Sequence, residues 1–348
     1  MDISLSKNDL DRLYKLIEQK YLNIDASEML LTLLNERTIV HKDIEIRDQI
    51  IERFELDEED NDTKEVLDKL IVPSIKKYVE EEFVNNPYYQ TIKIKDIKIK
   101  GYELLMDQYL PNELFPYSEI SIDQKDNYLE KSVLGYFENN FHFIALNKNK
   151  ETWMSVTPNE INTMKRAVEK AHGEVLVYGL GLGYFPFMIS LKNDVKSIKI
   201  IEKDQQIIDI FVKFIFPQFP KKEKIEIIKA DALSYSNANF DYAFIDLWHN
   251  PNDGLKTYIQ MIKKENDKAE YYYWLEDSII AYLRRLTLLV VEEHLEGYKD
   301  ADYQKAKSQE EEIINKIYFL LKPLNITSFS QIEELISFKS LRNLAKHL

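Results

Sequence analysis

Apolar and polar positions along this chain follow two periods in turn. Up to about residue 82 the period is helical: Leu10, Leu13, Leu16 and Ile17 share one face, as do Met29, Leu30, Leu33 and Leu34. Ser27 stands where a cap for the second of these helices belongs. Pro73 fits the first turn of a further helix ending near residue 82. The acidic run 55–62 reads as a solvated loop. At Asn85-Asn86-Pro87 the pattern changes. Ile92, Ile94, Ile97 and Ile99 among lysines predict one or two strands over 91–105. A helix is expected over 127–137, then a hairpin of 141–146 with 152–156 across Asn147, Lys148 and Asn149.

A helix start follows. Thr157 precedes Glu160 by three residues and Pro158 holds the first helical position, the pattern of a capping box. Ile161, Met164, Ala167 and Val168 supply the apolar stripe, and Gly173 ends the helix. Strands are then predicted at 174–178, 197–202, 225–229 and 242–246, with a helix over 205–216. This alternation implies parallel strands joined by crossover helices, a doubly wound, mostly parallel α/β sheet. Past Pro251 the pattern is helical over 253–264, 271–295, 304–321 and 331–348, with no clear final strands. The expected organisation is therefore a helical N-terminal domain (1–90), a small β-rich region (91–156), an α/β core (157–270) and a helical C-terminal extension (271–348).

Composition narrows the classes. Hydrophobic residues make up 45% of the 348 positions, enough for a full core. Lys and Arg number 46 against 60 Asp and Glu, a net charge of −14. So acidic a surface speaks against a nucleic-acid partner. With no cysteine there is no disulfide, thiolate metal site or cysteine nucleophile. His142, His172 and His294 show no metal spacing, so no metal is expected. Residues 1–11 lack the basic and apolar regions of a signal peptide, and no apolar run is long enough to span a bilayer. A cytoplasmic protein with no membrane partner is expected.

Of the 8 glycines, Gly179, Gly181 and Gly183 lie at alternate positions immediately after an apolar strand. Glycines so placed let backbone turn tightly and approach a ligand closely. A strand, a glycine turn and a helix start together make a site for a nucleotide-like molecule. Two ligand classes use such a turn: dinucleotides and S-adenosylmethionine. The dinucleotide pattern places its third glycine where this chain has Tyr184. Glu202 ends the second strand, nineteen residues after Gly183 (202 − 183 = 19), where a carboxylate can accept both hydroxyls of a ribose. Asp231, within Ala230-Asp231-Ala232, follows the third strand and can accept from an adenine amine. Asp246 ends the fourth.

With these residues in hand, 157–254 resembles the core of class I S-adenosylmethionine-dependent methyltransferases, and is most similar to their spermidine-synthase-like branch. Val177 stands where that branch lacks the usual acidic residue. Glu202-Lys203-Asp204 matches its Glu-x-Asp, and Asp241 and Asp246 match its fourth strand. The resemblance implies a Rossmann-like fold with S-adenosylmethionine as cofactor. It implies further that Gly179, Leu180, Gly181, Gly183 and Tyr184 wrap the methionine end, with Glu202 and Lys203 at the ribose and Asp231 and Ala232 at the adenine. Spermidine synthases carry a second aspartate three residues after the strand-four aspartate. Here that position is His249, a departure that disfavours aminopropyl transfer to a polyamine.

The expected activity is methyl transfer to a small molecule or a protein side chain. The alternatives are a spermidine-synthase-like aminopropyltransferase and a non-catalytic S-adenosylmethionine-binding protein. Asp246 is the first candidate to orient or deprotonate the nucleophile, and His249 the second. Trp153, Met154, Ser155 and Trp248 are expected near the same mouth. The apolar stretches 271–274 and 286–291 read as core packing or as the subunit interface of a homodimer.

Overall fold

The computed structural model describes residues 1–236 and 239–348. Its N-terminal part begins with a short strand β1 (Asp2–Ile3) and a single long helix α1 (Lys7–Asn35). Ser27 caps nothing: it lies inside α1 and its hydroxyl donates to the Asn23 carbonyl at 2.8 Å. The helix runs on through it because Leu22, Ala26, Leu30 and Leu33 keep one buried stripe. Helices α2 (Ile46–Phe54) and α3 (Asn61–Glu65) follow. The chain then leaves α geometry through a wide turn at Val66–Ile71 and a tight one at Val72–Ser74. Pro73 therefore closes a helical run rather than opening one, since it has no N–H to continue the ladder. Strand β2 (Ile75–Lys77) and the short helices α4 (Glu81–Val84) and α5 (Pro87–Thr91) complete this part.

Two antiparallel-rich sheets come next, built from β3 (Ile97–Ile99), β4 (Tyr102–Tyr109), β5 (Phe115–Asp123), β6 (Leu129–Tyr136), β7 (Phe141–Lys148) and β8 (Glu151–Ser155). Their orders are β2-β6-β5 and β3-β4-β7-β8. The helix expected over 127–137 is instead strand β6. Asn127 and Tyr128 both adopt positive φ, at 47° and 59°, so the chain turns there into a hairpin with β5. Leu129 and Leu134 of β6 then pack beneath α1 and the turn at Val66–Ile71. The β7–β8 hairpin forms as expected, but its turn falls at Asn149 and Lys150, whose φ values are 53° and 73°.

The remaining elements are α6 (Pro158–Lys170), β9 (Gly173–Tyr178), α7 (Tyr184–Ser190), β10 (Val195–Glu202), α8 (Gln205–Ile210), β11 (Ile225–Lys229), β12 (Tyr242–Ile245), α9 (Pro251–Ile262), β13 (Glu270–Tyr273), α10 (Glu276–Leu295), α11 (Gln309–Leu321), β14 (Asn325–Ile326), α12 (Phe329–Leu335) and α13 (Phe338–His347). Five of these strands form an all-parallel sheet in the order β11-β10-β9-β12-β13. Val175, Leu176, Val177 and all of β12 are buried, the unbroken apolar run of strands covered on both faces. The helix expected over 205–216 keeps α geometry only to Ile210 and widens over Phe211–Ile215.

The helix expected over 271–295 divides into strand and helix. Tyr271, Tyr272 and Tyr273 pair with Ala243, Phe244 and Ile245 as an edge strand, and Leu275 at φ 54° breaks the chain before α10. Aromatic residues favour a strand, and the parallel neighbour overrides the helical spacing. Among the described residues no strand follows β13 in this sheet; β14 pairs instead with β1.

Strand order reverses at β9, which opens a crevice beyond the carboxyl ends of β9 and its neighbours. One apolar core runs from the β-rich sheets into the α/β sheet. Phe187 of α7 sits at that junction, fully buried, its ring edge-on to Tyr88 at 5.3 Å and to Phe219 at 5.0 Å. Tyr88 also donates its hydroxyl to the Leu182 carbonyl at 2.6 Å, which ties α5 to the glycine turn. Phe187→Ala is expected to lower folding stability by about 3–5 kcal/mol in chemical denaturation; a loss below about 1 kcal/mol would contradict this packing role.

Candidate functional site

A cleft of about 440 Å³ opens at the carboxyl edge of the parallel sheet. Every residue named from the sequence for the cofactor or the chemistry lines it: Gly179, Leu180, Gly181, Gly183, Tyr184, Glu202, Lys203, Asp231, Ala232, Asp246 and His249. Trp153, Met154 and Ser155 of β8 and Trp248 line it as well.

Glycine is required at the turn for two different reasons. Gly179 has φ 96°, and a side chain there would overlap the backbone carbonyl of Asp246. The ends of β9 and β12 thus touch through bare backbone. Gly181 has φ 53° and nothing near where a Cβ would stand, so its backbone faces open cleft. Glu202 braces the turn from the next strand: its carboxylate accepts from the Leu180 N–H at 3.2 Å and from the Asp204 N–H at 2.8 Å. Asp231 accepts from the Leu233 N–H at 2.9 Å, and among the described residues its other oxygen has no partner on the exposed rim.

Asp246 leaves β12 with its N–H donating to the Tyr178 carbonyl at 2.9 Å. Its carboxyl is pushed up to about 7, first by burial and then by the negative charge of Glu202. His249 sits on the exposed rim, its Nδ1 3.1 Å from an Asp253 carboxylate oxygen and its ring edge-on to Trp153 at 4.7 Å. Lys148 lies over the Trp153 ring at 4.6 Å. Trp248 and Trp274 form inner walls: Trp248 Nε1 donates to the Trp274 carbonyl at 3.1 Å, and Trp274 Nε1 to Thr163 Oγ1 at 2.8 Å. Their polar atoms are satisfied and their ring faces remain apolar.

The structure adds Glu160, which the sequence pattern assigned to a capping box. No such box forms: Thr157 makes no side-chain cap and lies beside the buried Tyr109 hydroxyl. The Glu160 carboxyl lines the cleft instead, held well above its ordinary range by burial and by Asp246. Topology carried a signal for this. A helix leading straight into the first strand runs antiparallel to it, so its first turn lies at the carboxyl edge where ligands collect. Among the described residues no cluster of three His, Asp or Glu side chains is placed to hold a metal ion.

The charged lining of the cleft is one-sided. Glu160, Glu202, Asp204, Asp231 and Asp246 face it, with Lys203 as the basic residue among them. Such a lining favours a cationic guest and opposes phosphates.

No protein-family model matches the chain, and no curated protein matches it at a significant level. Solved structures overlap part of it. A spermidine synthase from Thermotoga maritima aligns over 42% of this chain and 59% of its own, at 14% identity and a TM-score of 0.29. M. capricolum TrmK, in complex with its natural cofactor product S-adenosyl-homocysteine, aligns over 32% and 49%, at 18% identity and a TM-score of 0.26. A dimethyladenosine transferase from Plasmodium falciparum aligns over 37% and 44%, at 15% identity and a TM-score of 0.27. The chain thus spans less than two thirds of the length of each of these structures. The α/β part is a doubly wound, all-parallel sheet of Rossmann-like order with a glycine turn at its reversal point. No described helix is long and apolar enough to cross a membrane.

An acid whose pKa is raised on folding holds its proton more tightly in the native state. Stability from Asp246 therefore falls as pH rises from 3.8 to about 7. Asp246→Asn removes that titration, so its melting temperature should gain on the wild type across the same window and hold a constant margin above it. Calorimetric scans of both proteins check this; a margin independent of pH would contradict it.

Proposed function

We propose that this cleft binds S-adenosylmethionine and that the protein is a methyltransferase acting on a small molecule or a protein side chain. One observation carries the reading: bare glycine backbone opposes a ring of carboxylates in which Lys203 is the basic residue. That chemistry fits a sulfonium cation with a ribose and an adenine. It does not fit a dinucleotide, whose pyrophosphate would meet Glu202 and Asp246 without an arginine among the lining residues. When bound, S-adenosylmethionine supplies a methyl group on positively charged sulfur.

The chain's own residues then have distinct tasks. Gly179 and Gly181 let backbone approach the methionine end, with Leu180, Gly183 and Tyr184 completing the turn. Glu202, already braced at Leu180 and Asp204, has acceptor capacity left for the ribose hydroxyls, with Lys203 beside it. Asp231 and Ala232 take the adenine edge. The Trp248 and Trp274 walls exclude water from the reacting end. Asp246, half-ionised near neutral pH, is suited to accept a proton at its carboxylate. His249, engaged with Asp253, stands at the acceptor's entrance. The aminopropyltransferase and binding-only readings use the same cleft and differ in the outcome of turnover assays.

Calorimetric titration tests the reading. S-adenosylmethionine should bind and NAD should not, and Glu202→Gln should weaken S-adenosylmethionine by about 1–3 kcal/mol. Equal binding of NAD would overturn the cofactor assignment, and unchanged affinity in Glu202→Gln would remove that residue from the ribose.

A further inference from the structure

Away from the cleft, a second and much smaller pocket lies where α1, the turn into β6 and α10 meet, with a volume of about 10 Å³. That is about the room one water-sized occupant needs. Lys20, Asn23, Tyr128, Glu130, Arg284 and Arg285 line it. Arg284 is only 2% exposed, and its guanidinium is held on two sides. Its Nε donates to the Ile336 carbonyl at 3.0 Å, and its Cζ stands over the Tyr128 ring, 4.5 Å from the centroid. Its Nη1 is buried with no hydrogen-bond partner. A guanidinium keeps its charge even here, so a buried charged donor stands without an acceptor, a costly state to leave unrelieved.

The neighbours do not supply the acceptor. Both Glu130 oxygens accept from Arg285, and the Asn23 side-chain oxygen accepts from Gln19 Nε2 at 3.0 Å and from the Glu130 N–H at 3.1 Å. Lys20, itself 4% exposed, gives one N–H to Glu292 at 2.5 Å and has two more to give. Lys20 is offset by Glu292 and Arg285 by Glu130, which leaves Arg284 with no carboxylate in contact among the described residues. Asp277 acts on Arg284 only at longer range and is shared with Arg166. The pocket therefore presents spare donors and a positive charge in excess. A water placed there must find acceptors for its two hydrogens, and those named are already engaged. A halide ion only accepts.

We propose that this pocket binds one small monovalent anion, chloride or bromide, which bridges Arg284 on α10 to Lys20 on α1 and so fastens the N-terminal helix to the C-terminal extension. The site stands independently of the cofactor reading. Phosphate and sulfate are too large for the space, and a cation meets Arg284 and Lys20 head on. The anion supplies what the fold withholds from Nη1, an acceptor and a negative charge at once. It also sits where three separate parts of the chain converge: α1, the β5–β6 hairpin, and α10 with the turn at Ile336 that follows α12. An occupant that binds only this assembled arrangement stabilises it by mass action.

The test melts the full chain in sodium chloride replaced stepwise by sodium gluconate at constant pH and ionic strength, gluconate being too large to enter. Chloride should raise the melting temperature by about 2 °C or more along a saturating curve, and bromide should do the same. Lys20→Met and Arg284→Met should each flatten that curve, whatever they do to stability itself. A crystal grown in sodium bromide gives a second reading that needs no variant: one anomalous peak between Arg284 and Lys20. Equal melting in chloride and gluconate would overturn the proposal, as would an unsaturating salt effect that both variants share. Anomalous peaks confined to the surface, an adventitious ion only, or a water without anomalous signal in the pocket, would overturn it as well.

Discussion

The contact that organises this molecule is backbone against backbone: the chain at Gly179 lies so close to the Asp246 carbonyl that no side chain fits between them. Through it the carboxyl ends of the first and fourth core strands stand side by side, at the point where strand order reverses. Asp246 is thereby aimed into the same space as the glycine turn, and Glu202 on the neighbouring strand can brace that turn through Leu180 and Asp204. A larger residue at Gly179 would part the two strand ends. The cleft would widen at the place where a small ligand must be gripped on several sides at once.

Electrostatics gives the cleft its character. Burial raises the carboxyls of Glu160 and Asp246 above their ordinary range, with the charge of Asp246 adding at Glu160 and that of Glu202 adding at Asp246. The β-rich sheets contribute as well. Strand β8 brings Trp153 to the rim against His249, so this side of the cleft is walled by elements from outside the parallel sheet. The α/β part supplies the cradle common to many ligands, and the added elements shape what can enter.

Much of this was legible in the residues because local chemistry and global fold agree there. The concentrated glycines, the acidic strand ends and Pro158 at a helix start each have one good structural use, and they occur in the order the sheet demands. The misread elements are those where tertiary partners decide. The segment at β6 has enough leucine and lysine for a helix, but the left-handed pair Asn127–Tyr128 commits it to a hairpin. The tyrosines of β13 sit on a helical stripe in sequence, yet hydrogen bonds to β12 draw them into the sheet. Glu160 was hidden because its position three residues after Thr157 has a complete local explanation. Only the direction of α6 relative to β9 reveals that the same carboxyl faces the cleft.

The central claim, that the carboxyl edge of this sheet cradles an adenosyl sulfonium among acidic strand ends, is tested most directly by a crystal structure of the protein with S-adenosylhomocysteine. The account predicts the ribose hydroxyls on Glu202, the adenine beside Asp231 and Ala232, and the sulfur turned toward Asp246 and Glu160. A ligand seated elsewhere, or one whose adenine occupies the space before Asp246, would contradict it.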